Sequence, residues 1–369
     1  MKFVCAGGSR VNFTFDTITP VHELVIVIPD LYLPRELRGA GGAAGFGDIP
    51  GIEGAARFGA RAPLAGGWRA WLPGWIGRTE LAAVAPACIA AAALDAGTEV
   101  APADMPGASV TSWWIARAVH FHAGLTRVHL DQRGLLRLPP AEQATLAADF
   151  ARTFGSSNYT LAPLPSGEFL LSTPGLAPLA TAEPGRCVGA ELAELIPAGQ
   201  AAAPLRRLLS EIEMWLHAQP LNEARRVRGE VPVTALWPWG ASGRIVRAQH
   251  RAPPELPLAF GRDAWLEGLW RLQGAACRSP PQHLEEVLAA GARSAVLIVE
   301  VGGELADGRT VAAALSRLDA RFVAPALQAL RPGTLGAVTV IINDVRARLQ
   351  RGAVRRFWRR PLAGLGGFV

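Results

Sequence analysis

SAVLIVEVG (residues 294–302), TVAAALSRLDARFVAPALQAL (310–330) and GAVTVIIND (336–344) decide the fold. The first and third are continuous apolar runs, as strands covered on both faces require. The segment between them is apolar at helical spacing. A strand, a helix and a strand of these lengths form a crossover unit with parallel strands. ELVIVIPD (23–30) is another run of the same kind. Together they predict an α/β fold, a parallel sheet flanked by helices, with chemistry at the carboxyl ends of the strands. Two of the three runs end there in a carboxylate, Asp30 and Asp344.

Outward from these strands, residues 39–59 read as a glycine-rich loop. A tryptophan-bearing segment (Trp68, Trp71, Trp75) follows, then an alanine-rich helix over about Leu81 to Leu94. The character changes near Trp113. VHFHAGLTRVHL (119–130) reads as a strand or hairpin, PPAEQATLAADFARTF (139–154) as a helix opened by proline, and SNYTLAPLPSGEFLLST (157–173) as two short strands about a turn. This predicts an α+β insertion. The expected division is a first part of the main domain at 1–110, the insertion at 111–189 and the second part at 190–369, opening with a helix from about Pro204 to His217.

Composition excludes several classes. Half of the 369 residues are hydrophobic, enough for a large core, yet no window holds roughly 18 uninterrupted apolar residues for a membrane span. The first residues lack the apolar stretch of a signal peptide, so a cytoplasmic setting is expected. Four scattered cysteines without a CxxC pair argue for free thiols. The net charge of +6 comes almost wholly from dispersed arginine, Lys2 being the only lysine. Residues 346–360 alone concentrate it, and they read as a solvated face or tail, the alternative being a nucleic-acid patch.

Strands ending in Asp30 and Asp344 suggest the alkaline-phosphatase-like superfamily, and residues 211–243 make the resemblance specific. Gln219-Pro220-Leu221-Asn222, Arg225, Arg226, Gly229, Pro232-Val233-Thr234 and Trp237-Pro238-Trp239-Gly240 resemble a stretch of the archaeal-type cofactor-independent phosphoglycerate mutases. The chain is also similar to a divergent bacterial branch, the RpfE-type regulatory proteins. That likeness rests on Glu211, Met214, Leu216 and His217, on Trp114 to His120, and on Trp358-Arg359-Arg360-Pro361. The resemblance implies an alkaline-phosphatase-like domain with an inserted α+β domain, and in the mutases two metals and a serine nucleophile.

This sequence departs from that pattern. Asp344 is followed by Val345 where the mutases carry histidine, residues 302–310 contain no histidine, and Met105-Pro106-Gly107-Ala108-Ser109 lacks the acidic neighbour of the serine motif. Two carboxylates cannot hold two metals. The resemblance therefore implies a catalytically degenerate protein that binds a ligand or partner and acts in regulation. One alternative is a phosphomutase or phosphatase with a reduced site, using Asp30, Asp344 and Ser109 with a single divalent Mn or Zn. The other is a nucleic-acid-associated protein. No cofactor is expected on the first reading.

The remaining candidates each have two readings. Asp30 and Asp344 are either surviving ligands or strand-end caps. Asn222, Arg225 and Arg226 could hold a phosphorylated or carboxylated small molecule, since guanidinium forks suit such anions, or could pair with Glu223 and Glu230. Trp239, with Trp237, either lines a pocket or packs in a core strand. His120, His122 and His129, near Asp131, could be metal ligands or the polar alternation of a half-exposed strand.

Overall fold

The computed structural model describes residues 21–31, 48–94, 111–124, 127–243, 255–301, 310–353, 365 and 368. Ser109, the loop glycines before residue 48 and the arginines beyond residue 353 lie outside the described residues. The strands are β1 (Val21–Ile28), β2 (Ala60–Pro63), β3 (Thr111–Ala123), β4 (Val128–Leu135), β5 (Thr160–Pro163), β6 (Phe169–Pro174), β7 (Ala235–Ser242), β8 (Leu258–Phe260), β9 (Ser294–Ile298), β10 (Leu335–Ile342) and β11 (Val345–Gln350). They build two sheets, ordered β2-β11-β10-β1-β9-β8 and β4-β3-β6-β5, with β7 paired to β3.

In the first sheet β10, β1, β9 and β8 are mutually parallel, with Ile28 level with Ile342 and Val27 with Ile298. The expected parallel α/β sheet is present. Alternate β1 side chains serve opposite faces, as the two-residue period requires. Leu24, Ile26 and Ile28 pack with the helices Pro50–Phe58 and Val311–Leu318, while Val25 and Val27 meet Trp68, Leu72, Trp265 and Leu269. These five β1 side chains are buried.

The second sheet lies on helices Pro140–Phe154 and Ala203–His217 through Trp114, Phe169 and Leu171. Its other face turns Trp113, Ile115, Trp237 and Trp239 toward Ala87 and Ala90 of the turn Pro86–Ala90 and Ala264 of the helix Ala264–Leu272. Because β7 pairs with β3, this layer takes in residues as far as Ser242, past the limit of 189 read from the sequence.

Three local expectations need correction. Pro50–Phe58 is a helix where the glycines suggested loop. Its N-terminal amides, Gly51 N–H and Ile52 N–H, donate to Asp319 at 2.9 and 2.7 Å, a cap supplied from 268 and 267 residues away. Residues 81–94 form short turns at Thr79–Ala83, Pro86–Ala90 and Ala91–Ala93, since Pro86 lacks the amide a continuous helix needs. Val345–Gln350 is a strand antiparallel to β10, with Ala347 and Leu349 buried, so Arg346 and Arg348 belong to the sheet and not to a tail. The helix read over 310–330 is present, and Asp319–Val323 within it is a π-helical turn.

Candidate functional site

Each of the four parallel strands delivers one carboxylate to the same edge: Asp30 after β1, Asp263 after β8, Glu300 after β9 and Asp344 after β10. Two of the strand ends are bent by residues in the left-handed region, Asp30 at φ 61° and Asn343 at φ 52°. Aspartate and asparagine tolerate that conformation better than other side chains with a Cβ. Asn343 also fastens the edge, accepting from Leu31 N–H and donating to Leu31 O, both at 2.8 Å.

Four arginines arrive from elsewhere. Arg117 of β3 donates to Asp30 Oδ2 at 2.5 Å. Arg69, on the helix Gly67–Trp75, donates to Asp263 at 2.6 Å and to Glu183, with its guanidinium over the rings of Trp68 and Trp239 at 4.2 and 4.9 Å. Arg137, beyond β4, reaches Glu300 at 2.9 Å through Nε and Glu168 at 2.9 Å through Nη1. Arg186, in the turn Pro184–Cys187, grips Asp344 with two bonds of 2.7 and 2.5 Å. Gly185 is required beside it, because a Cβ there would fall 2.0 Å from Asp30 Oδ1.

Burial pushes the Asp30 carboxyl up, but the Arg117 guanidinium, with Arg69 and Arg137 nearby, outweighs it and leaves the group below its usual range. Burial wins at Glu183 and Glu300, which both rise despite Arg69 and Arg137. Burial, with Glu183 and Asp30 nearby, lifts the Cys187 thiol to about 12 and leaves it unreactive. The cluster thus sets six carboxylates against four guanidiniums, with Glu168, Glu183, Asp263 and Asp30 buried or nearly so.

The resemblance implies a metal pair at this edge, and the residues present do not fit one. The four strand-end carboxylates are each held by a guanidinium. Among the described residues no group of three or more His, Cys, Asp or Glu side chains is set to hold a metal ion. The three histidines of the β3–β4 hairpin do gather, with ring centroids 4.7 Å apart for His120 and His122 and 5.9 Å for His122 and His129, and His120 Nδ1 lies 2.9 Å from Pro232 O. The side chain of Asp131 lies outside the described residues.

The ligand expectation at Asn222, Arg225 and Arg226 meets a different arrangement. The Asn222 amide donates to Leu216 O and Val233 O and accepts from Val233 N–H, at 2.8, 2.8 and 2.7 Å. Arg225 is buried against Glu142 at 2.5 Å and Val231 O at 2.8 Å, and Arg226 is exposed beside Glu223. The two arginines point to different partners and form no common fork. Asn222 and Arg225 pin the helix Pro220–Val227 to the start of β7, a scaffolding arrangement. Trp239 is a core strand residue that also floors Arg69.

Of the cluster, the sequence reading found only Asp30 and Asp344. Arg117 left a signal, a lone charge inside the apolar run TSWWIARAVHF (111–121), where a buried cation demands a buried anion. Glu300 left one too, closing the run LIVE (297–300). Nothing in Glu183-Pro184-Gly185-Arg186 marked it.

No protein-family model matches the sequence, and no curated protein matches it significantly. Two solved structures are similar over most of their length. A cofactor-independent phosphoglycerate mutase from Thermoplasma acidophilum DSM 1728 is 15% identical, covers 90% of each chain and has a TM-score of 0.38. The PH0037 protein from Pyrococcus horikoshii is 13% identical, covers 94% of this chain and 92% of its own, and has a TM-score of 0.46. At such identities and scores they say nothing about the chemistry of the site. No helix among the described residues is long and apolar enough to cross a membrane.

Proposed function

We propose that this chain is a catalytically degenerate, phosphoglycerate-mutase-like protein that works by binding a ligand or partner, in a regulatory role, and not by metal-assisted phosphoryl transfer. One observation carries the reading: each of the four carboxylates at the carboxyl edge of the parallel sheet is already paired with a guanidinium, from Arg69, Arg117, Arg137 or Arg186. Phosphoryl transfer on this kind of edge needs cations that can clamp the attacking and leaving oxygens. A guanidinium paired with each strand-end carboxylate already supplies the positive charge that buried anions require there. The regulatory part of the reading comes from the RpfE-type likeness of residues 110–250. The deciding experiment incubates the purified chain with Mn2+ or Mg2+ and 3-phosphoglycerate and follows phosphate position by NMR. No turnover is expected; turnover abolished by Asp30→Asn would overturn the reading.

A further inference from the structure

We propose that Trp71, Trp75, Arg346 and Arg348 form a platform for single-stranded nucleic acid, the indoles taking bases and the guanidiniums taking phosphates. This rests on the reading above, a chain that works by binding, and gives its partner a chemical class.

Trp71 and Trp75 stand about one turn apart on the helix Gly67–Trp75, which lays them on the same side of it. Their rings stack with centroids 6.2 Å apart and planes 23° apart. The Arg346 guanidinium lies over the Trp71 ring at 5.8 Å. Arg346 and Arg348 alternate along β11 with the buried Ala347 and Leu349, so they share the other face of that strand. On that face Glu23 accepts from Arg348 Nε at 2.9 Å and from the Thr339 hydroxyl at 2.8 Å. Trp71, Trp75, Arg346 and Arg348 are each half-buried, so a ligand can reach both indoles and both guanidiniums.

Charge selects the partner. Among the described residues no carboxylate pairs with Arg346, whose guanidinium rests on an indole instead. The carboxylates bordering the platform are taken, Glu23 by Arg348 and Asp344 by Arg186. Residues 346–360, which concentrate the positive charge of the chain, contain no aspartate or glutamate. Aromatic rings beside arginines suit single strands, because every base offers a face to stack and every nucleotide a phosphate to pair. A duplex keeps its bases stacked on one another and offers the indoles none. An anionic membrane fits less well, since it takes up protruding apolar side chains. Neither indole is among the large exposed hydrophobic residues.

The test titrates the full chain against fluorescein-labelled oligo(dT) by anisotropy, beside its duplex with oligo(dA) and vesicles containing phosphatidylserine. Wild type should bind oligo(dT) more tightly than the duplex. Trp71→Leu should weaken oligo(dT) by about fivefold or more, the effect of losing one stacked base, and leave the salt dependence unchanged. Arg346→Ala should reduce the slope of log K against log salt by about 0.7, one phosphate contact on a single strand. Trp75→Leu replaces Trp71→Leu if circular dichroism shows that variant unfolded. Indole variants that bind oligo(dT) as wild type does would show attraction by charge alone and overturn the platform. Binding of the duplex or the vesicles without the single strand overturns it too, as does no binding at all. None of these outcomes touches the degenerate reading, which falls on wild-type turnover of 3-phosphoglycerate.

Discussion

Arg117 and Asp30 lie 87 residues apart on different sheets, and a 2.5 Å ion pair joins them in the buried seam between those sheets. Removing one partner of such a pair leaves the other charge buried without compensation, which typically costs about 3–5 kcal/mol. Arg117→Ala should therefore lower unfolding stability by that order in urea titrations. Arg117→Met with Asp30→Asn should recover most of the loss. A double variant no better than the single would mean that the pair is not the source of the effect.

Gly185→Ala should damage the same seam without touching a charge. Its Cβ would sit 2.0 Å from Asp30 Oδ1, so the turn or the carboxylate must move. Overpacking of this kind costs about 1–3 kcal/mol, occasionally more. An unchanged midpoint in denaturant would show that the turn can yield freely.

Asp319 supplies a pH dependence whose sign can be worked out. Burial pushes its carboxyl from an ordinary 3.8 up to about 6, against the opposing bonds from Gly51 and Ile52 N–H. The folded form thus holds the proton more tightly than the unfolded chain. The stabilisation is fully present below pH 3.8 and is lost as pH rises through about 6. A rise of this size corresponds to roughly 3 kcal/mol. Calorimetry between pH 4 and 7 should show this loss in wild type and a flatter profile in Asp319→Asn. Equal slopes in the two proteins would remove Asp319 as its source.

The segment 219–243 separates scaffold from ligand site. Asn222→Ala should cost about 1–3 kcal/mol, because Leu216 O, Val233 O and Val233 N–H lose their buried partner. Arg226→Ala should stay within about 0.5 kcal/mol, since its pair with Glu223 is exposed. A phosphorylated metabolite that stabilises wild type but not Arg226→Ala would support the anion reading for that residue.

The parallel sheet was legible in the sequence because its strands are buried on both faces, and only continuous apolar runs satisfy that environment. ELVIVIPD, SAVLIVEVG and GAVTVIIND can be placed, and Asp30 and Asp344 aligned at one edge, from the sequence alone. The helices Pro140–Phe154 and Ala203–His217 were equally open, for their apolar stripes repeat at helical spacing. β2, β8 and β11 were not, being three to six residues long and lacking that uniform burial. The pairings within the site belonged to the tertiary structure. Which carboxylate meets which guanidinium depends on contacts spanning 87 residues for Asp30 with Arg117, 163 for Arg137 with Glu300 and 158 for Arg186 with Asp344. Residue type and local spacing hold no record of such pairings. A strand-end aspartate reads the same whether a metal or an arginine neutralises it, because burial demands only that some positive charge be there.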